Sequence, residues 1–256
     1  VPDITALVLG GTSGIGSGIA RSLAAQGAAV TVASRDQRRA QEAADGIRAA
    51  SGAAEVSGMG LDLSRPEDVA ENLSRYGRDF DAVVLNGPGY PPGTVTDATA
   101  DDFTRAYRSM FLSLQQVVTS VIDSMKRKQW GRVLYVSSSS VIAPIDELAV
   151  SSVVRAAMNA YLKVLSNELA ADRITVNSIV PGRIDTPRVK AVDAARARDR
   201  GTSADQIRKA AESRIPMGRY GTPDEIGELA AFLCSDGAAY LTGATFRCDG
   251  GMTAAL

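Results

Sequence analysis

Residues 7–27 read Leu-Val-Leu-Gly-Gly-Thr-Ser-Gly-Ile-Gly-Ser-Gly-Ile-Ala-Arg-Ser-Leu-Ala-Ala-Gln-Gly, an apolar run, a glycine-rich turn and then a helical pattern. Ile15, Ile19 and Leu23 recur at helical spacing, so the turn opens a helix. Gly10, Gly14 and Gly16 permit a tight turn and the close approach of a ligand that a Cβ would exclude. Unpaired N–H groups and the positive end of the helix dipole converge above that turn, which suits a pyrophosphate. The spacing Gly10-x-x-x-Gly14-x-Gly16, with Thr12, Ser13 and Ile15 between the glycines, therefore points to a dinucleotide. A strand-to-helix connection without a ligand can use the same residue types, so the rest of the chain has to decide.

Ala28–Ala33 reads as a second strand and Asp36–Ala50 as the helix after it. Ser34-Arg35 falls at the strand's C-terminal end, where α/β sheets hold ligands. An acid there binds a ribose diol, whereas a hydroxyl followed by a guanidinium favours a 2′-phosphate, so NADP(H) is expected over NAD. Arg38 and Arg39 are either helpers or solvated charges. Glu55–Leu61 is a third strand ending at Asp62-Leu63, with Asp62 a candidate adenine contact, and Ser64-Arg65-Pro66-Glu67 reads as a capping box.

Asp81–Leu85 gives a fourth strand and leads into Asn86-Gly87-Pro88-Gly89-Tyr90-Pro91-Pro92-Gly93, a backbone suited to lying against a flat ligand. The apolar stripe of Ala100–Lys128 predicts one long helix. Gly131–Ser137 is a fifth strand that ends in the serine cluster Ser137–Ser140. Val150–Ala171 is a helix whose phase puts Tyr161 in the core, and Ile174–Val180 is a sixth strand stopping at Pro181-Gly182. Two polar helical pieces flank Gly201 within Arg188–Arg214, either a solvated face or a lid whose cations meet an anionic carrier or substrate. Thr222-Pro223-Asp224-Glu225 is a second capping box, and Ala244–Cys248 a seventh strand. The alternation predicts an α/β fold: a single-domain Rossmann-type doubly wound parallel sheet of seven strands over 1–256, with 183–215 covering the substrate.

Composition bounds the chemistry. The 256 residues are 45% hydrophobic with net charge −1, enough for a full core and without a positive field for nucleic acid or an anionic membrane. No apolar run nears the ~20 residues that span a bilayer, and residues 1–20 lack the order of a signal peptide, so a cytoplasmic location is expected. The two cysteines, Cys234 and Cys248, read as buried thiols, and no metal site is expected. The absence of histidine excludes a Ser-His-Asp or Cys-His nucleophile.

Gly10-x-x-x-Gly14-x-Gly16, Asp62-Leu63, the Asn86 turn, Ser138, Pro181-Gly182-Arg183-Ile184-Asp185-Thr186 and Asp249-Gly250-Gly251 together resemble the short-chain dehydrogenase/reductase family over essentially the whole chain, and within it the divergent 3-oxoacyl-carrier-protein reductases. The resemblance implies a nicotinamide cofactor along the sheet's C-terminal edge, with Asn86 and Gly87 near the ribose, Ile184 and Thr186 near the carboxamide, and Pro181 and Gly182 also binding the cofactor. It implies a small-molecule or carrier-bound carbonyl substrate, and a homotetramer or homodimer built on the long helices and last strand.

The family's reductases use an Asn, Ser, Tyr, Lys set. Here Ser138 is present, but thirteen residues on, at the tyrosine position, stands Ser151; the lysine position holds Arg155 and the asparagine position Met110. A serine hydroxyl can hydrogen-bond but is a poor acid, and a guanidinium cannot relay protons as an amine does. Ser138, Ser151 and Arg155 remain the candidate catalytic groups, Arg155 also holding ribose, with Tyr90, Asp146 and Glu147 as other proton sources. The expected activity is NADP(H)-dependent carbonyl or enone reduction; the alternatives are a non-redox enzyme on the same scaffold and a silent NADP-binding subunit.

Overall fold

The computed structural model describes residues 4–52, 55–77 and 79–254. Seven strands, β1 Thr5–Leu9, β2 Ala29–Ser34, β3 Val56–Gly60, β4 Ala82–Leu85, β5 Gly131–Val136, β6 Ile174–Pro181 and β7 Thr245–Cys248, form one sheet in the order β3-β2-β1-β4-β5-β6-β7. Every pairing is parallel. The order reverses between β1 and β4, so a cleft opens beyond their C-terminal ends, and the glycine turn, the Asn86 segment and the serine cluster all leave strands at that edge.

The helices are α1 Gly14–Ala25, α2 Gln37–Ser51, α3 Pro66–Tyr76, α4 Ala100–Tyr107, α5 Ser113–Lys128, α6 Ala149–Leu169, α7 Pro187–Asp199, α8 Ala204–Glu212 and α9 Pro223–Leu233. Strand alternation divides the core into two layers. Ala6, Val8, Ala82, Val84, Leu134 and Val136 pack on one side with Ile19, Leu23 and Ile226 of α1 and α9. Leu7, Leu9, Val83, Leu85, Val133 and Tyr135 pack on the other with Leu114, Val118, Met158 and Leu162 of α5 and α6. The α1–α9 contact is close because a Cβ on Gly227 would stand 2.6 Å from the Gly18 carbonyl oxygen.

Four sequence expectations are corrected. Ala100–Lys128 is not one α-helix: a π turn at Arg108–Leu112 separates α4 from α5, and the Ser113 hydroxyl donates its one proton to Leu63 O at 2.6 Å, with Arg108 O farther off at 3.2 Å. The capping box at Ser64–Glu67 does not form. Ser64 N–H donates to Asp62 Oδ1 at 2.9 Å, and the N-cap position of α3 falls one residue later, at Arg65, which gives no side-chain cap. The box at Thr222 does form, as do two at Thr99 and Ser203. Tyr161 is only partly buried, its ring meeting Phe111 edge-on at 5.6 Å. Cys234 is buried, which pushes its thiol up to about 12, but Cys248 is half-buried at the sheet edge.

Candidate active site

Gly10 and Gly14 have φ of +58° and +54°, in the left-handed region that glycine enters without strain. A Cβ on Gly10 would stand 2.8 Å from Asn86 O and 2.9 Å from Asn86 Nδ2, and the Asn86 amide donates to Gly10 O at 3.4 Å. The end of β4 is thus packed directly on the glycine turn, with Gly87 backed by Leu114. Ser13 is the extended N-cap residue of α1 but its side chain makes no cap bond, so the helix's first N–H groups keep their capacity for an anion. Gly16 is buried beside Gly10, Thr12 is half-buried and Ile15 packs on the core. A backbone cradle that a Cβ would fill, at an uncapped helix start, fits a dinucleotide pyrophosphate.

One strand over, Ser34 Oγ accepts from Asp36 N–H at 3.1 Å, fixing the turn after β2. Arg35 is exposed and has no hydrogen-bond or ion-pair partner among the described residues. Arg38 and Arg39 are instead paired with Glu42 and Asp36 at 3.1 and 3.9 Å. Asp62 is exposed after β3, and Leu63 beside it is half-buried.

At the other end, Ser138 Oγ accepts from Ser140 N–H at 3.2 Å, which leaves its own proton to donate. Arg155 reaches from α6 under the sheet edge. Its Nε donates to Ser151 Oγ at 3.3 Å. Its Nη1 faces Tyr135 OH at 3.3 Å and the carbonyls of Val136 and Ser137 at 3.2 and 3.4 Å, and its Nη2 faces Pro88 O at 3.4 Å. A guanidinium has five N–H groups, so one on Nη2 is left for a ligand. Tyr135 is 1% exposed, and burial raises its phenol above the usual value while Arg155 pulls it back. Asn159 ties the neighbouring strand ends, donating to Ser137 Oγ at 2.8 Å and accepting from Ser178 Oγ at 2.9 Å. Met110, in the π turn, is buried with Val150 and Val154 of α6.

The other candidate proton sources are partnered or face solvent. Tyr90 turns its hydroxyl to Asp102 Oδ1 at 2.8 Å and packs beside α4. Asp146 and Glu147 are exposed, Glu147 pairing with Arg196 at 3.3 Å.

Pro181 ends β6, Gly182 N–H donates to Cys248 O at 3.0 Å, and Ile184 bridges to Gly221. Thr186 caps α7, accepting from Val189 N–H at 3.2 Å, and its Cγ2 lies 3.1 Å from where a Gly14 Cβ would stand. The start of segment 183–215 therefore rests against the glycine turn. Residues that sequence reading missed hold it there. Arg183 Nη1 donates to Asp193 Oδ1 at 2.8 Å and to Tyr220 OH at 3.0 Å, and Tyr220 OH donates to Asp193 Oδ2 at 2.8 Å. Asp193 is only 4% exposed. An isolated Asp in a helix with mixed charges gave no sequence signal of burial; the neighbouring Arg183 and Tyr220 are far along the chain.

Comparison with known proteins agrees in extent with this architecture. The sequence model of the enoyl-(acyl carrier protein) reductase family matches residues 10–253. The chain is 33% identical to D-beta-hydroxybutyrate dehydrogenase of Cupriavidus necator, covering 98% of each. It is 30% identical to the 3-oxoacyl-[acyl-carrier-protein] reductase of Pseudomonas aeruginosa, covering 96% of each. Among solved structures, L-sorbose reductase of Gluconobacter frateurii, complexed with NADPH and L-sorbose, superposes with a TM-score of 0.93 at 25% identity, over 100% of this chain and 98% of that one. No helix among the described residues is long and apolar enough to cross a membrane.

Proposed function

The chain belongs to the short-chain dehydrogenase/reductase family, and from that premise we propose that it is an NADP(H)-dependent reductase of small-molecule or carrier-bound carbonyl compounds, with Ser151 and Arg155 in place of the usual phenol and amine. The observation that carries this is the fixed Arg155 guanidinium, which brings a positive charge to the edge where Ser138 and Ser151 present hydroxyls. Gly10, Thr12, Ser13, Gly14, Ile15 and Gly16 would hold the pyrophosphate. Ser34 and Arg35 would hold the 2′-phosphate, Asp62 and Leu63 the adenine, and Asn86, Gly87 and Arg155 the ribose. Pro181, Gly182, Ile184 and Thr186 would line the nicotinamide side. Bound there, the reduced cofactor supplies a hydride.

Ser138 and Ser151 then donate hydrogen bonds to the substrate oxygen, and Arg155 stabilises the negative charge that gathers on it. None of these groups is a matched acid, so the proton that completes the reduction comes from solvent water, and its delivery is the weak step. An enolate is a weaker base than an alkoxide and needs charge stabilisation more than an immediate proton. Reduction of an activated double bond is accordingly favoured over ketone reduction. Segment 183–215 closes over this site, and the setting is cytosolic.

The test is NADPH oxidation with 2-cyclohexen-1-one and cyclohexanone. The enone is expected to be consumed faster. Ser138→Ala should lower kcat/KM by about 10²-fold, the usual loss of one oxyanion donor, and Ser151→Ala by about tenfold, since Arg155 still covers that side. Tight NADPH binding with no turnover on any ketone or enone would instead support the silent-subunit or non-redox readings.

The homodimer or homotetramer expectation has its own support. Val153 and Val164 are 54% and 58% exposed on α6, and Ala157 and Ala160 lie exposed between them on the same face. Val164→Asp should halve the assembly mass measured by light scattering, with little change in the monomer's fold.

A further inference from the structure

Two guanidinium groups meet on one dipeptide at the mouth of the site. Arg155 Nη2 donates to Pro88 O at 3.4 Å, and the guanidinium of Arg188, second residue of α7, lies over the next residue, Gly89, so closely that a Cβ there would collide with Nη1 and Nη2. Arg155 is anchored by protein acceptors; Arg188 is not. Among the described residues Arg188 has neither a hydrogen-bond acceptor nor a carboxylate partner, although it stays solvent-accessible. Burial and the charge of Arg155 both push it below the usual arginine value. Three other arginines of the same segment are paired, Arg183 with Asp193, Arg196 with Glu147, and Arg208 with Asp185 and Glu212, and Arg198, Arg200 and Arg214 are exposed away from a second guanidinium contact of this kind. Two like charges brought together without an acid to offset them are unfavourable until an anion arrives.

We propose that Arg188, supported by the charge of Arg155, binds a carboxylate carried by the substrate, so that the enzyme selects oxo acids or unsaturated oxo acids over neutral carbonyl compounds. This rests on the reductase reading and narrows its substrate class. A planar guanidinium at the start of α7 can engage both carboxylate oxygens. Gly89 is the residue that lets it lie against the backbone, which gives the segment Asn86–Gly93 a purpose in substrate selection. The dinucleotide's own phosphates are the other source of anionic oxygens within reach of α7, and the measurement separates the two.

NADPH affinity is first measured by fluorescence titration for the wild type, Arg188→Gln, Arg188→Lys and Gly89→Ala. The binding of 2-oxopentanoate and 4-oxopentanoate and of their methyl esters is then measured by calorimetry on the NADP⁺-loaded proteins, where no turnover occurs. At least one acid is expected to bind about tenfold or more tightly than its ester. That preference should vanish in Arg188→Gln, persist in part in Arg188→Lys, and weaken in Gly89→Ala, which displaces the guanidinium without removing its charge. NADPH affinity should stay within twofold throughout. Equal binding of acids and esters by the wild type overturns the proposal while leaving the reductase reading intact. A tenfold loss of NADPH affinity in Arg188→Gln overturns it in favour of a cofactor phosphate contact. Failure of the wild type to bind NADPH removes the reading beneath it.

Discussion

An Arg155→Met variant is expected to lose about 10³-fold or more in kcat/KM and to melt about 5–10 °C lower. Both effects follow from the same five contacts, one to Ser151 within α6 and four beyond it. The guanidinium joins α6 to the end of β5 through Tyr135 OH, Val136 O and Ser137 O, and to the segment after β4 through Pro88 O. Without it the Tyr135 hydroxyl, 1% exposed, loses its charged partner, and an unsatisfied buried polar group costs about 1–3 kcal/mol. The kinetic loss is larger because a fixed positive charge, not one neutral donor, leaves the oxyanion position. Arg155→Lys should recover part of the turnover but little of the melting temperature, since an ammonium restores charge without the planar fork. A methionine variant within threefold of wild type would show that the charge on the substrate oxygen is met by another group.

The strand, glycine turn and helix at residues 7–27 were legible because local spacing encodes them: three apolar residues on one helix face and glycines where φ is positive. That Ser151 and Arg155 share one face of a helix was legible for the same reason, being a matter of position along α6. What the sequence did not disclose depends on distant contacts. Nothing near Tyr135 in the chain indicates that its hydroxyl meets Arg155, and nothing near Arg188 indicates that it lies on Gly89. The π turn at Arg108–Leu112 was hidden because one extra residue in a turn barely disturbs an apolar stripe. The missing cap at Ser64 shows local competition: Asp62, two residues back, engages the Ser64 amide, and the N-cap position moves on to Arg65.

Arg35→Asp is expected to change the NADPH-to-NADH affinity ratio by about 10²–10³-fold with almost no change in stability. Arg35 is exposed at the end of β2 with no partner among the described residues, so its removal strands nothing; surface changes of that kind usually stay within about 0.5 kcal/mol. A charged hydrogen bond to a phosphate contributes about 1.5–3 kcal/mol, or roughly tenfold to a hundredfold in affinity, and its loss is the first part of the effect. The second part is repulsion between the new carboxylate and a 2′-phosphate. That same carboxylate can accept from the ribose diol of NADH, so NADH affinity should hold or rise while NADPH affinity falls. Arg38 and Arg39 cannot compensate without breaking their pairs with Glu42 and Asp36. Raising salt should shrink the wild-type preference toward that of the variant, because an exposed charge pair is screened over about 10 Å at 0.1 M ionic strength. Titration of both nucleotides against both proteins at low and high salt measures all of this, and an unchanged ratio in Arg35→Asp would move the 2′-phosphate away from β2.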